Sequence, residues 1–68
     1  MEVEINGEFR SVETDAPTVE ELLEEIGVEQ QQGVAVAVND RVVARGRWGE
    51  ETVEDGDRVE IIRAAQGG

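Results

Sequence analysis

The sequence predicts an α+β domain in which a mixed sheet of four to five strands is covered by one main helix. Three observations carry that prediction. Short stretches of apolar–polar alternation flank turn dipeptides at Asn6-Gly7 and Asp55-Gly56. One helical period, Val19, Leu22, Leu23 and Ile26, lies between Pro17 and Gly27. The chain has 68 residues, enough for one small core and too few for a second domain.

Glu2-Val3-Glu4-Ile5 alternates polar and apolar, which is the pattern of a strand with one buried face. Asn6-Gly7 supplies the two left-handed residues of a type I′ hairpin turn. Phe9 to Glu13 forms the returning strand, although Phe9 and Val12 point to opposite faces unless a bulge intervenes. Thr18 is a good helix N-cap, and Glu21 three residues later completes a capping box. Glu20, Glu21, Glu24 and Glu25 cover the side of the helix away from its apolar stripe, and Gly27 fits the C-terminal cap.

The polar run from Glu29 to Gly33 is expected to be a loop. Val34-Ala35-Val36-Ala37-Val38 is continuously apolar, so it reads as a strand covered on both faces or nearly so. Asn39-Asp40 turns the chain into the shorter, more exposed strand 41–45, and the segment from Gly46 to Glu51, which carries Trp48, is irregular. The last strand, Arg58 to Arg63, directs Val59 and Ile61 inward and Arg58, Glu60 and Ile62 outward. The order strand, strand, helix, strand, strand, strand packs most simply as one helix on one sheet. The strands flanking the helix are expected to be joined by a crossover, making at least one pairing parallel. The globular domain spans 1–63, and 64–68 is a tail without bulky side chains that ends in Gly67-Gly68.

Composition removes most kinds of chemistry. The chain has no Cys, His, Lys or Tyr, and its only Ser, Ser11, falls in a predicted strand. Disulfide staples, Cys and His metal ligands and most nucleophile–base pairs are therefore missing. Neighbouring carboxylates such as Glu24-Glu25 and Glu50-Glu51 read as solvated surface, and Glu54-Asp55-Gly56-Asp57 lacks the alternating oxygen ligands of a calcium loop and reads as a turn. No metal site and no catalytic residue are expected. Seventeen acidic residues against six basic ones, all Arg, give a net charge of −11. That charge disfavours nucleic acid and suits a basic partner surface, or simply solubility or a salty cytoplasm. Met1-Glu2-Val3-Glu4 does not resemble a signal peptide, and no stretch has the length of a membrane span, so a cytoplasmic protein is expected.

One reactive group remains, the α-carboxylate of Gly68. A carboxylate is a poor electrophile because attack on it must expel an oxide. Coupled to AMP it becomes a mixed anhydride with a good leaving group, which a sulfur nucleophile converts to a thiocarboxylate. Gly67 and Gly68, lacking Cβ, can thread a narrow channel. Five extended residues beyond the last strand span about 16 Å, enough to reach into another protein while the folded body stays outside.

The chain resembles the ThiS family, the sulfur carriers of thiamine biosynthesis, which have the ubiquitin-like β-grasp fold. The resemblance runs through the Asn6-Gly7 hairpin, the Thr18-Val19-Glu20-Glu21-Leu22-Leu23 helix start and the strand closing at Val38-Asn39. It continues through Val43 to Trp48, Asp55-Gly56-Asp57 and Gly67-Gly68. It implies that the chain is not an enzyme but a protein co-substrate, carrying sulfur on Gly68 with Gly67 threading the tail. It also implies an adenylating enzyme (ThiF-like) that uses ATP, a persulfide sulfur donor and a thiazole synthase (ThiG-like), with no cofactor bound to the carrier itself. Trp48 and Ile62 are possible partner-docking residues, with ordinary packing as the alternative for each. The neighbouring readings are a carrier for molybdopterin or cysteine synthesis and a ubiquitin-like protein modifier. Without Lys, such a modifier has no side chain through which to build chains of itself.

Overall fold

Both predicted hairpins form on residues suited to positive φ. Asn6 and Gly7 sit at φ 50° and 86°, and Asn39 and Asp40 at φ 51° and 67°. In the computed structural model, which describes residues 1–28 and 32–63, they connect β1 (Glu2–Ile5) to β2 (Glu8–Ser11) and β3 (Val34–Val38) to β4 (Arg41–Val43). Helix α1 (Val19–Glu25) lies between the hairpins, and β5 (Arg58–Arg63) closes the described chain. The sheet has five strands in the order β2-β1-β5-β3-β4.

The helix starts and stops where its side chains dictate. Thr18 Oγ1 accepts from the Glu21 N–H at 3.1 Å, and the Glu21 carboxylate accepts from the Thr18 N–H at 2.8 Å. Two of the N–H groups that a helix start leaves unpaired are thereby satisfied. At the other end Gly27, at φ 92°, lets its N–H reach Glu24 O and the Val28 N–H reach Leu23 O. This is a Schellman closure. Val19, Leu22 and Leu23 are fully buried against Val3, Val12, Val36, Val53 and Val59, and Ile26 packs half-buried at the margin. Each of those fully buried side chains contributes on the order of 1.5–3 kcal/mol of transfer free energy.

Two expectations change, and two points the sequence leaves open are decided. The parallel pairing exists, but between β1 and β5 (Glu4↔Arg58, Ile5↔Val59) rather than between the strands that flank the helix. β2 lies at the sheet edge, and β5 separates β1 from β3. β3 is covered on one face only: Val34 and Val36 are buried while Ala35 is exposed, because the single helix leaves the opposite face of the sheet open. No bulge brings Phe9 inward. The β1–β2 register runs unbroken from Glu2↔Ser11 to Ile5↔Glu8, so Phe9 stands on the open face and Val12 on the core face. The segment from Arg45 to Val53 is also part of the core. It contains a 3₁₀ turn (Arg45–Arg47), buries Trp48 and Val53, and ties its backbone to the helix start through Val19 N to Glu51 O and Val53 N to Pro17 O. The predicted loop residues 29–31 and the tail 64–68 lie outside the described residues. Among the described residues no helix is long and apolar enough to cross a membrane.

Glu25 organises the link between β2 and α1. Its carboxylate accepts from Thr14 Oγ1 and Glu13 N, both at 2.7 Å, and from Thr14 N at 3.2 Å. The Thr14 hydroxyl first, and then the Glu13 amide, hold its carboxyl below the ordinary value of 4.5. A depressed folded value means that the ionised form stabilises the fold at pH above 4.5, and that this contribution fades as pH falls through the lower folded value. Urea unfolding of the native chain and Glu25→Gln should therefore differ most near neutral pH, and the gap should narrow below about pH 4.5. A gap independent of pH would mean that the carboxylate does not act through its charge.

Candidate functional site

Among the described residues no polar or charged side chain is buried, and no cluster of three or more Asp and Glu is arranged to hold a metal ion. The acidic turn at 54–57 uses its carboxylates on backbone: Asp57 Oδ2 accepts from Glu54 N at 2.8 Å, and Asp55 Oδ1 from Glu2 N at 2.7 Å. A concavity of about 510 Å³ is an open groove beside β4 lined by Arg41, Val43, Arg47, Glu51 and Asp57 among others. Arg47 pairs there with Glu50 and Glu51 at 3.2 and 3.6 Å. These pairs are solvent-exposed and of little energetic weight.

The strand leading toward the tail runs up the middle of the sheet. Toward the helix β5 buries Val59; on the other side it presents Ile62, 58% exposed. Register places Ile62 beside Ala35, and Ala37 beside Val42, so an apolar strip crosses β5, β3 and β4 on the open face. Val42 is 80% exposed. Phe9, 70% exposed, stands on the same face beyond Glu4, with Glu60 and Arg58 between the two apolar areas. Large apolar side chains held out in water on one sheet face are a costly surface to leave bare and a suitable one to dock.

Of the residues singled out in the sequence, Ile62 is thus on an accessible apolar surface. Trp48 is not: its ring is 3% exposed, with Nε1 donating to Val43 O at 2.9 Å and the Arg45 guanidinium 4.9 Å from the ring centre. Of the two roles the sequence leaves open for Trp48, packing is the one its ring occupies. Gly67 and Gly68 lie outside the described residues. Sequence reasoning passed over Phe9 and Val42 as candidates. Their signal was available, because Phe9 breaks the phase of its strand and Val42 adjoins a strand apolar on both faces.

The ThiS family model matches residues 2–68. The chain belongs to the ThiS family. A sulfur carrier protein ThiS from Thermus thermophilus is 41% identical over 64 residues, covering 94% of this chain and 95% of that protein. A ThiS crystal structure from Geobacter metallireducens superposes with a TM-score of 0.88 at 35% identity, over the whole of both chains. The five-stranded sheet with one helix is thus the ThiS β-grasp fold. A thiazole synthase from Paramagnetospirillum magneticum is 40% identical over all 68 residues of this chain, which correspond to 20% of that protein.

Opposite responses should separate packing from surface. Trp48→Ala is expected to lower stability by roughly 3–5 kcal/mol, whereas Ile62→Ser should change it by less than about 1 kcal/mol. Chemical denaturation of the two variants checks this, and equal losses would remove the distinction.

Proposed function

We propose that this ThiS-family chain carries sulfur on Gly68 for formation of the thiazole of thiamine. The observation that carries the reading is the family match, which extends through Gly67 and Gly68. The described body, with no buried titratable group, is consistent with a handle on which partner enzymes act. In the first step the Gly68 carboxylate oxygen attacks the α-phosphorus of ATP, giving the acyl-adenylate and pyrophosphate. A persulfide then attacks the acyl carbon and AMP leaves with the electron pair of its C–O bond. A thiol cleaves the resulting acyl disulfide, leaving the thiocarboxylate on Gly68.

The same proposal assigns the partners. A ThiF-like adenylating enzyme supplies the ATP site, so the carrier itself binds no cofactor. A persulfide-bearing protein supplies sulfur, and a ThiG-like thiazole synthase consumes it. The thiazole synthase relative, within which one region resembles this whole chain, supports the last assignment. We place these steps in the cytoplasm, where ATP is available. The open face, with Ile62, Val42 and Phe9, docks the partner, while Gly67 lets the tail thread into its site.

Incubation with ATP, an adenylating enzyme of this class and a sulfur donor should add the mass difference between one sulfur and one oxygen to the intact chain. Fragmentation should locate it on Gly68. Deletion of Gly68 should leave the fold unchanged and abolish the increment. Ile62→Glu should raise the KM for the carrier by about tenfold, equivalent to roughly 1.4 kcal/mol of docking. Sulfur uptake by the chain lacking Gly68 would sink the proposal.

A further inference from the structure

The strand that leads into the tail is held unevenly along its two edges. On the β3 side β5 is paired from Val38↔Val59 to Val34↔Arg63. On the β1 side strand pairing covers only Glu4↔Arg58 and Ile5↔Val59, because β1 ends at Ile5 and the chain turns back. The Asn6 N–H still reaches Val59 O at 3.0 Å. The next rung comes from a side chain. Asn6 Oδ1 accepts from Ile61 N at 2.8 Å, and Asn6 Nδ2 donates to Ile61 O at 3.2 Å.

Turn geometry alone does not ask for this pair of bonds. At φ 50° a Gly or an Asp would also serve a type I′ turn. Glycine has nothing to extend to Ile61, and an aspartate offers acceptors but no donor for the Ile61 carbonyl. The carboxamide makes both bonds. Asn39 plays a similar part at the start of β5: Oδ1 accepts from Arg58 N at 3.0 Å and Nδ2 donates to Asp57 Oδ1 at 3.1 Å. The two asparagines therefore hold β5 near opposite ends and from opposite edges. Only the Asn6 clip is near the tail, two residues before Arg63 and next to Ile62.

We propose that Asn6 is a positioning residue for sulfur transfer: its clip on Ile61 holds the β1-side edge of β5 beyond the reach of strand pairing, and so steadies the strand that carries the tail beside Ile62. This rests on Gly68 being the sulfur-carrying position. A terminus that must meet a reacting atom loses rate when its base wanders, since misplacement by about 1 Å can cost on the order of 100-fold. The clip acts beside Ile62, so the docked body and the tail take their bearing from adjacent residues.

The test compares Asn6→Gly, Asn6→Asp and Asn39→Gly with the native chain. It reads initial rates of thiocarboxylate formation by intact mass and hydrogen exchange at the Ile61 amide. Both glycine variants keep the positive φ, and each removes two side-chain bonds from a turn flanking β5. Asn6→Gly should speed exchange at Ile61 and lower kcat by about tenfold, with the KM for the carrier within about twofold. Asn6→Asp, retaining the acceptor, should fall between, and Asn39→Gly should keep kcat within about twofold of native. The proposal is overturned if Asn6→Gly frees the Ile61 amide with kcat unchanged, or if the two glycine variants slow the reaction equally. If Asn6→Gly does not fold, Asn6→Asp decides by the same readings. A native chain that takes up no sulfur defeats the carrier reading before any variant is compared, whereas a working native chain with an indifferent Asn6 defeats only the clip.

Discussion

The parallel pairing of β1 with β5 is the contact on which the rest of the structure depends. It brings together the two ends of the described chain: Asn6 and Ile61 are 55 positions apart and share two hydrogen bonds. Without it the sheet would part into the β1–β2 hairpin, marginal by itself, and the three strands β5, β3 and β4, with the helix left between two incomplete apolar faces. With it, Val3 and Ile5 of β1 and Val59 of β5 form the middle of one surface on which Val19, Leu22 and Leu23 can pack. Such a join closes a long loop and gives no return until late in folding, which makes this a topology of non-local contacts and slower assembly. In exchange, the strand that leads into the tail lies at the centre of the sheet, supported on both sides rather than left at an edge.

A single helix can cover only one face of a five-stranded sheet, and the exposed apolar surface follows from that shortage. A chain this short buries only about 60% of the surface its unfolded form exposes. The helix, Trp48 and Val53 are all committed to the inner side. Phe9, Ala35, Val42 and Ile62 remain on the outer side, from which the tail-bearing strand is equally accessible. A partner covering that face would bury apolar surface the fold cannot bury itself and would hold the chain close to the point where the tail begins.

Local features were legible in the sequence because their causes are local. Thr18, Glu21 and Gly27 name the ends of the helix, and Asn6-Gly7 and Asn39-Asp40 name their turns, since each depends on side chains within a few residues. Which strands become neighbours is decided by packing between distant segments, so the parallel pair was expected but assigned to the wrong strands. The continuous run Val34–Val38 looked like a strand covered twice, because hydrophobicity reports a preference for burial and not whether a covering layer exists. Trp48 and Val53 lie in a segment without period, and only the backbone bonds to Pro17 and the helix start reveal it as core. The expectation for Gly67 and Gly68 rests on elimination: once side chains are removed as reagents, a backbone carboxylate is what remains, and both residues lie outside the described structure.

That elimination also bears on how a carrier survives its own activation. An acyl-adenylate reacts with amines and thiols as readily as with a persulfide, and a tail long enough to reach a partner's site is long enough to meet another copy of the same body. The side chains of this sequence offer no primary amine and no thiol, since every basic residue is Arg and Cys is absent. Guanidinium, protonated at any physiological pH, is a poor nucleophile. It still supplies positive charge where the fold uses it, as in Arg58 to Asp40 at 2.7 Å and Arg45 over Trp48. The seventeen carboxylates repel other copies equally acidic and would suit a basic partner surface. A body whose side chains hold neither amine nor thiol is suited to presenting an activated carboxylate, because those side chains then compete little with a nucleophile that a partner supplies.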